Sequence, residues 1–247
     1  MKSFKHSGDI GDIIYSLPTM KGLGGGILYL DVSGGYDDVH CNKQLKPWGG
    51  KTKFNMNGYN FLYPLLKQQS YIHDVKIYNG EIVNYNLNRM RTGISENPKK
   101  FGDCKDLVDI YRITFDLPRY DINEPWLECG DPILLDRKLV IARSPRYQSS
   151  YVFLANSRAI LRDKGIFIGL KKEHELFEWT FDLQIPFYDT NSALEVAKVL
   201  LGSGEIVSNS TSTLAIAVGL PNKSIVQETD KIMQLTTFKN KKGMKFI

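Results

Sequence analysis

Glu205-Ile206-Val207-Ser208-Asn209-Ser210-Thr211-Ser212-Thr213-Leu214-Ala215-Ile216-Ala217-Val218 decides how the chain is read. Glu205 to Ser208 is a short strand-like run and Thr211 to Val218 an apolar helix-like run, with only small polar residues at the join. Ser208 to Thr213 brings five hydroxyls and the Asn209 amide to a helix N-terminus, where a single cap suffices. The surplus, with the exposed backbone N–H groups of Asn209, Ser210, Thr211, Ser212 and Thr213, favours a site for an anion such as phosphate.

The same grammar extends in both directions. Lys138 to Ala142 predicts a buried strand, Tyr151 to Arg162 a helix, Gly165 to Gly169 a strand and Glu173 to Thr180 a short helix. Ser192 to Leu201 follows as a helix and Lys223 to Val226 as a final strand. Short continuous apolar strands alternating with helices imply a parallel sheet covered on both faces. The first half repeats the logic less regularly. It has strands near Lys2 to His6, Gly26 to Val32 and Val75 to Tyr78, and helices from Asp12 to about Lys21, Tyr59 to Lys67 and Cys104 to Phe115. An aromatic- and Gly-rich stretch runs from the second strand to about Asn57. The expectation is an α/β protein of two small lobes, residues 1–130 and 131–247, with the seam at Cys129-Gly130-Asp131-Pro132.

Gly8-Asp9-Ile10-Gly11-Asp12-Ile13-Ile14-Tyr15-Ser16-Leu17-Pro18 forms the first strand-to-helix turn. Gly8 and Gly11 allow a tight turn and close approach of a ligand. Asp9 and Asp12 are either helix caps or acids aimed at chemistry. Two carboxylates near one helix end exceed the need for a cap, and Asp12 is the better candidate for a proton acceptor, while Pro18 suggests a short or kinked helix. The turn lacks Gly-x-Gly-x-x-Gly, and no Gly-Lys-Ser/Thr occurs, which argues against a dehydrogenase or a P-loop enzyme.

Arg143-Ser144-Pro145-Arg146-Tyr147 follows a predicted central strand, at the edge where open α/β sheets bind ligands. Two guanidinium forks in one turn suit a diphosphate; the alternative is a solvated surface turn. Ile168-Gly169-Leu170 leads into Lys171-Lys172-Glu173-His174-Glu175, where Glu173 either accepts from ribose hydroxyls or simply complements the helix dipole.

The bulk numbers bound the rest. A chain of 247 residues buries roughly 75% of its unfolded surface. With 42% hydrophobic and 24% charged residues it is neither disordered nor fibrous. Cys41, Cys104 and Cys129 are odd in number and widely spaced, and His6, His40, His73 and His174 show no ligand spacing, so no structural zinc is expected. Neither a secretory h-region nor a membrane span is visible, and a cytoplasmic protein is expected. The net charge of +5 and the tail Lys239-Asn240-Lys241-Lys242-Gly243-Met244-Lys245 permit a polyanionic partner, although a solvated tail explains them as well.

With these pieces placed, the chain resembles glycosyltransferase family 9, the ADP-heptose:lipopolysaccharide heptosyltransferases of the GT-B fold. The resemblance rests on Gly11 to Pro18, similar to that family's Gly-Asp-hydrophobic run ending in Leu-Pro, and on Ser208 to Pro221, similar to its Asp-Thr-Gly-x-x-His segment. Ser208 and Thr213 depart from the Asp and His of that pattern, and the chain is short for a GT-B enzyme. The resemblance implies two Rossmann-like lobes with parallel sheets facing a cleft. It makes Asp12 the base, Arg143 and Arg146 the cationic site for a departing diphosphate, Glu173 the ribose contact, and Ser210, Thr211 and Ser212 the phosphate cradle. It also implies metal-independent, inverting transfer from a nucleotide-sugar donor to a saccharide or glycolipid hydroxyl, with no cofactor. The alternatives are sugar transfer to hydroxymethylated bases in DNA, and a non-catalytic module that binds nucleotide sugar or polyanion.

Overall fold

The structure is a computed structural model that describes residues 1–33, 54–90, 102, 104–148, 152–221, 223–229 and 236–247. His40, Cys41, Tyr151 and the Gly-rich stretch up to residue 53 lie outside the described residues. Packing divides the chain into two compact units, Met1–Asp121 and Ile122–Ile247. The Cys129 stretch falls inside the second, because the Trp126 and Leu127 N–H groups both donate to the Gly219 carbonyl at 3.1 Å.

The first unit is a parallel sheet in the order β3-β2-β1-β4, made of β1 (Ser3–His6), β2 (Gly26–Leu30), β3 (Ile72–Ile77) and the short β4 (Tyr85–Asn86). α1 (Ile10–Gly22) follows β1, and every residue from Ile13 to Met20 is buried. Pro18 does not shorten it; the helix runs on for a full turn. It returns to the sheet through Gly24, Gly25 and Gly26, all at positive φ. There a Cβ on Gly25 would sit 2.2 Å from the Tyr71 carbonyl oxygen. α2 (Met56–Lys67) is capped by the Asn55 side chain, and α3 (Leu107–Thr114) by Asp106, whose carboxylate accepts from the Asp109 N–H at 3.0 Å. β1 crosses to β2 on one side, while β4 lies on the other, so the chain changes direction between β1 and β4.

The second unit repeats the plan on six parallel strands in the order β10-β9-β8-β5-β6-β7. They are β5 (Leu139–Ala142), β6 (Gly165–Ile168), β7 (Phe187–Tyr188), β8 (Glu205–Ser208), β9 (Ser224–Gln227) and β10 (Met244–Phe246). The helices are α4 (Val152–Asn156), α5 (Arg158–Lys164), α6 (Lys171–Phe181), α7 (Ala193–Gly202) and α8 (Ser212–Gly219). β5 and β6 are buried at every position, as continuous apolar runs require. Leu139, Ile141, Phe167, Phe177, Phe181, Val207 and Val226 share one core cluster. The direction of winding reverses between β5 and β8.

The C-terminal tail keeps Lys239, Lys242 and Lys245 exposed, as a solvated tail would, but part of it is ordered. Met244–Phe246 pairs with Ser224–Gln227 as an edge strand, Lys241 is 5% exposed and donates to the Ile122 carbonyl at 3.1 Å, and Lys245 pairs with Glu205 at 2.8 Å. Charge density in the sequence conceals this, because a lysine stem buries readily when its ammonium finds a carbonyl. No helix among the described residues is long and apolar enough to cross a membrane.

Candidate functional site

Open α/β sheets bind ligands beyond the carboxyl ends of their strands, where the winding reverses. In each unit the loops at that point are tied together by an asparagine. In the first, Asn88, two residues past β4, accepts from the Ser7 N–H at 3.0 Å and donates to the Ser7 hydroxyl at 2.7 Å. In the second, Asn209, one residue past β8, accepts from the Ser144 N–H at 3.1 Å and donates to the Ser144 and Arg146 carbonyls at 2.8 and 2.7 Å. Both asparagines are buried. Each fixes the backbone of the loop that follows the first strand of its sheet.

The first loop carries Asp9 and Asp12. Asp9 is the N-cap residue of α1 by position, but its side chain makes no capping hydrogen bond. Gly11 and Asp12 lie in the first turn of α1, half-buried. The Asp12 carbonyl accepts the Tyr111 hydroxyl at 3.0 Å. His6 lies beneath the turn, with Nδ1 2.8 Å from the Gly8 N–H and Nε2 2.8 Å from the Tyr111 hydroxyl. A Cβ on Gly8 would come within 2.6 Å of the His6 ring, so glycine is required by the close approach of that ring. Tyr15, one turn on, is fully buried. Burial raises its pKa well above the ordinary phenol value, with Asp12 and Asp106 adding to the shift, and it stays neutral. Burial, with the Asp109 and Asp106 charges adding, pushes the Cys104 thiol up to about 11, which favours the protonated form at neutral pH.

The second unit brings the remaining candidates to one edge. Thr211 caps α8 by accepting from the Leu214 N–H at 3.2 Å, and its hydroxyl lies 3.1 Å from that of Ser208. Ser210 bonds to Thr236 at 2.6 Å, Thr213 is 9% exposed and Ser212 is half-buried. The hydroxyl surplus read as ligand-binding is therefore partly internal: Ser208, Ser210 and Thr211 brace the turn. The Ser212 and Thr213 N–H groups, in the first turn of α8, have no carbonyl partner within the helix.

Arg143 differs from expectation. Its guanidinium is buried and meets Glu228 through two bonds, Nε to Oε2 at 2.6 Å and a terminal nitrogen to Oε1 at 3.0 Å, with Phe181 5.3 Å away. The reason is strand alternation. Arg143 continues the row of Leu139 and Ile141, and Glu228 that of Val226, so both enter the core face. Arg146 is the exposed arginine of the loop, stacked 5.4 Å from Tyr147, whose φ is +57°. Glu173 is aimed back at its own helix start, with Oε2 3.1 Å from the Leu170 N–H and against Gly169, which sits at φ +132°. Burial raises the Glu173 pKa, opposed by the Leu170 N–H and by the charge of Arg146, which puts Arg146 and Glu173 in one electrostatic neighbourhood. An open groove of about 590 Å³, lined by Pro145, Gln148, Leu176, Trp179 and Thr180, borders the same loop.

Among solved structures the chain is similar to the glycosyl transferase family 9 protein from Veillonella parvula DSM 2008. The TM-score is 0.57 at 8% identity, over 99% of this chain and 84% of that one. The chain shares that fold. It is thus α/β and GT-B-like, with two units each built on a parallel sheet. The E. coli heptosyltransferase WaaC with ADP-2-deoxy-2-fluoro heptose aligns with a TM-score of 0.46 and 11% identity, over 100% and 93% of the two chains, and at that score it adds nothing to the first likeness. No protein-family model and no curated protein matches the sequence.

His6, Asn88, Tyr111 and Glu228 belong to the scaffold of these turns; a linear reading assigns the first three no part in it and takes Gln227-Glu228, after the last strand, either as within reach of the ligand or as a loop. Their contacts span 81 to 105 residues, as in Ser7 with Asn88, Arg143 with Glu228 and His6 with Tyr111. No local pattern encodes such pairs; only Glu228, directly after a strand that ends beside β8, carries a positional hint.

Proposed function

We propose that the chain is a glycosyltransferase that moves a sugar from a nucleotide-diphosphate donor to an acceptor hydroxyl with inversion. The observation that carries the reading is the loop of the second unit, in which Asn209 holds the backbone of Ser144 and Arg146 beside the N-terminus of α8. Arg146 and the Ser212 and Thr213 amides then supply positive charge and donors to a departing diphosphate, without metal. Arg143 acts behind them as scaffold, through Glu228. Glu173 is assigned to the ribose hydroxyls, and Gly169 lets ligand approach the backbone. In the first unit Asp12 removes the proton of the acceptor hydroxyl as its oxygen attacks the anomeric carbon, and Asp9 and Gly11 border that group.

The acceptor is a saccharide or glycolipid in this reading, and the work is cytoplasmic. Of the tail lysines, Lys241 is buried on a carbonyl while Lys239, Lys242 and Lys245 stay exposed, and a basic tail of this size does not by itself call for DNA. A thermal-shift panel of nucleotide sugars identifies the donor, and release of nucleoside diphosphate with and without saccharide acceptors measures turnover. Asp12→Asn is expected to lose about 10²–10⁴-fold in kcat with donor affinity unchanged. Turnover within a few fold of the native enzyme would remove Asp12 from the reaction.

A further inference from the structure

We infer that Tyr111 and His6 are positioning residues for Asp12, acting through the backbone they hold. The inference deepens the assignment of Asp12 as base and rests on it for its kinetic consequence only. Its geometry stands independently.

The hydrogen bonds fix their own direction. Gly8 N–H is a donor at 2.8 Å, so His6 Nδ1 must accept and carries no proton. The single Tyr111 hydroxyl proton goes to the Asp12 carbonyl at 3.0 Å, because a carbonyl cannot donate. The Tyr111 oxygen therefore accepts at its 2.8 Å contact with His6, and His6 Nε2 holds the ring proton. One directed chain results, from His6 in β1 through Tyr111 in α3 to Asp12 in α1, with a branch from Gly8 back to His6. It ties together both ends of the turn that presents the carboxylate.

That turn has little slack. A Cβ at Gly8 would lie 2.6 Å from His6 Cε1 and 3.0 Å from the Asp12 Cβ, so the ring, the loop and residue 12 are already in contact. Asp12 has a short side chain, and its carboxylate goes where its Cα goes. A base must stand about 2.6–3.2 Å from the proton it takes. A displacement of about 1 Å costs on the order of 10²-fold in rate. The first turn of a helix frays most readily, and the Tyr111 hydroxyl, coming from another helix, holds it at residue 12.

Tyr111→Phe keeps the buried ring and deletes only the hydroxyl. In the full-length protein without ligand, amide exchange across Gly8 to Ile13 is expected to quicken about 10-fold or more, while Leu28 and Leu30 in β2 keep their native protection. Nitrogen NMR of the native protein is expected to show His6 neutral and protonated on Nε2. With the donor found by the panel, kcat is expected to fall about 10- to 100-fold while the donor KM stays within about twofold. A merely structural hydroxyl would lower the unfolding midpoint and leave kcat alone. His6→Asn, which keeps an acceptor for Gly8 but cannot reach Tyr111, is expected to behave as Tyr111→Phe does. Native exchange at Gly8 to Ile13 in Tyr111→Phe overturns the inference whatever the substrate proves to be. So does unchanged kcat in a background where Asp12→Asn is inactive. An active Asp12→Asn overturns the base assignment instead, and leaves the exchange measurement to decide the role of Tyr111.

Discussion

The turn after β1 and the turn after β8 are built on one plan and used in opposite ways. Each follows a central parallel strand, opens a helix, and is tied across the reversal of its sheet by a buried asparagine, Asn88 in the first unit and Asn209 in the second. In the first, the group assigned to the chemistry is a side chain, the Asp12 carboxylate, and the backbone around it is gripped by His6 and Tyr111. In the second, the groups assigned to the ligand are backbone amides, and the hydroxyls of Ser208, Ser210 and Thr211 do the gripping. A turn that presents a carboxylate borrows its scaffold from distant elements, whereas a turn that presents amides spends its own side chains on bracing.

The comparison breaks most visibly at Arg143 and Glu228. Removing one partner of a buried ion pair leaves the other charge unpaired, at a cost of about 3–5 kcal/mol. Glu228→Ala is expected to lower the stability of the second unit by that amount in urea unfolding, while Arg143→Met with Glu228→Leu recovers most of it. Arg146→Ala is expected to leave stability within about 0.5 kcal/mol, as an exposed side chain should, and to weaken donor binding. If Arg143→Ala weakened binding with no loss of stability, the two arginines would have to exchange roles.

That reversal of roles marks the limit of what the sequence discloses. The elements were legible because their signals are local: the apolar runs of β5, β6 and β8, and the apolar helix-like run that opens at Thr211. The candidate turns were legible too, as small polar residues between a strand and a helix. Which of two neighbouring arginines stays outside was not, because it depends on whether a strand's alternation continues one residue past its last hydrogen bond and on a glutamate 85 positions away. β4, β7 and β10 escaped the reading because pairs and triplets of residues carry no periodicity, and β10 lies inside a run of lysines. His6 offered a lone histidine with no partner spacing, and Tyr111 one aromatic among many; only their meeting through α3 gives either a role.

A second test sharpens the contrast through pH. Asp106 caps α3 from a buried position, and burial, with the Asp109 charge adding, pushes its carboxyl up to about 6, against the pull of the Asp109 and Val108 N–H groups and of Arg119. Below about pH 4 both folded and unfolded chains hold this proton. Between about 4 and 6 the unfolded chain releases it first, so stability falls as pH rises through that window. At about 1.4 kcal/mol per unit, the loss has a ceiling of about 3 kcal/mol above pH 6. Asp106→Asn keeps an oxygen for the Asp109 N–H and never ionises. Relative to the native protein it is expected to gain stability between pH 4 and 6 and hold that gain at pH 7, and a constant difference across the window would show that Asp106 does not titrate there.

The smallest effect bears most directly on how the second turn is braced. Thr211 caps α8 and meets the Ser208 hydroxyl in the same contact, so Thr211→Ala removes both, at an expected cost of about 1 kcal/mol. Thr211→Ser restores the oxygen and should recover nearly all of it. If the hydroxyls serve the turn and the amides serve the ligand, Thr211→Ser binds donor as the native protein does. Thr211→Ala then binds it only about 2- to 5-fold more weakly, the measure of a frayed first turn and not of a lost contact. A loss of binding as large as that of Arg146→Ala would mean that the threonine oxygen itself touches the anion, and the opposition between a turn that offers side chains and a turn that offers backbone would no longer hold.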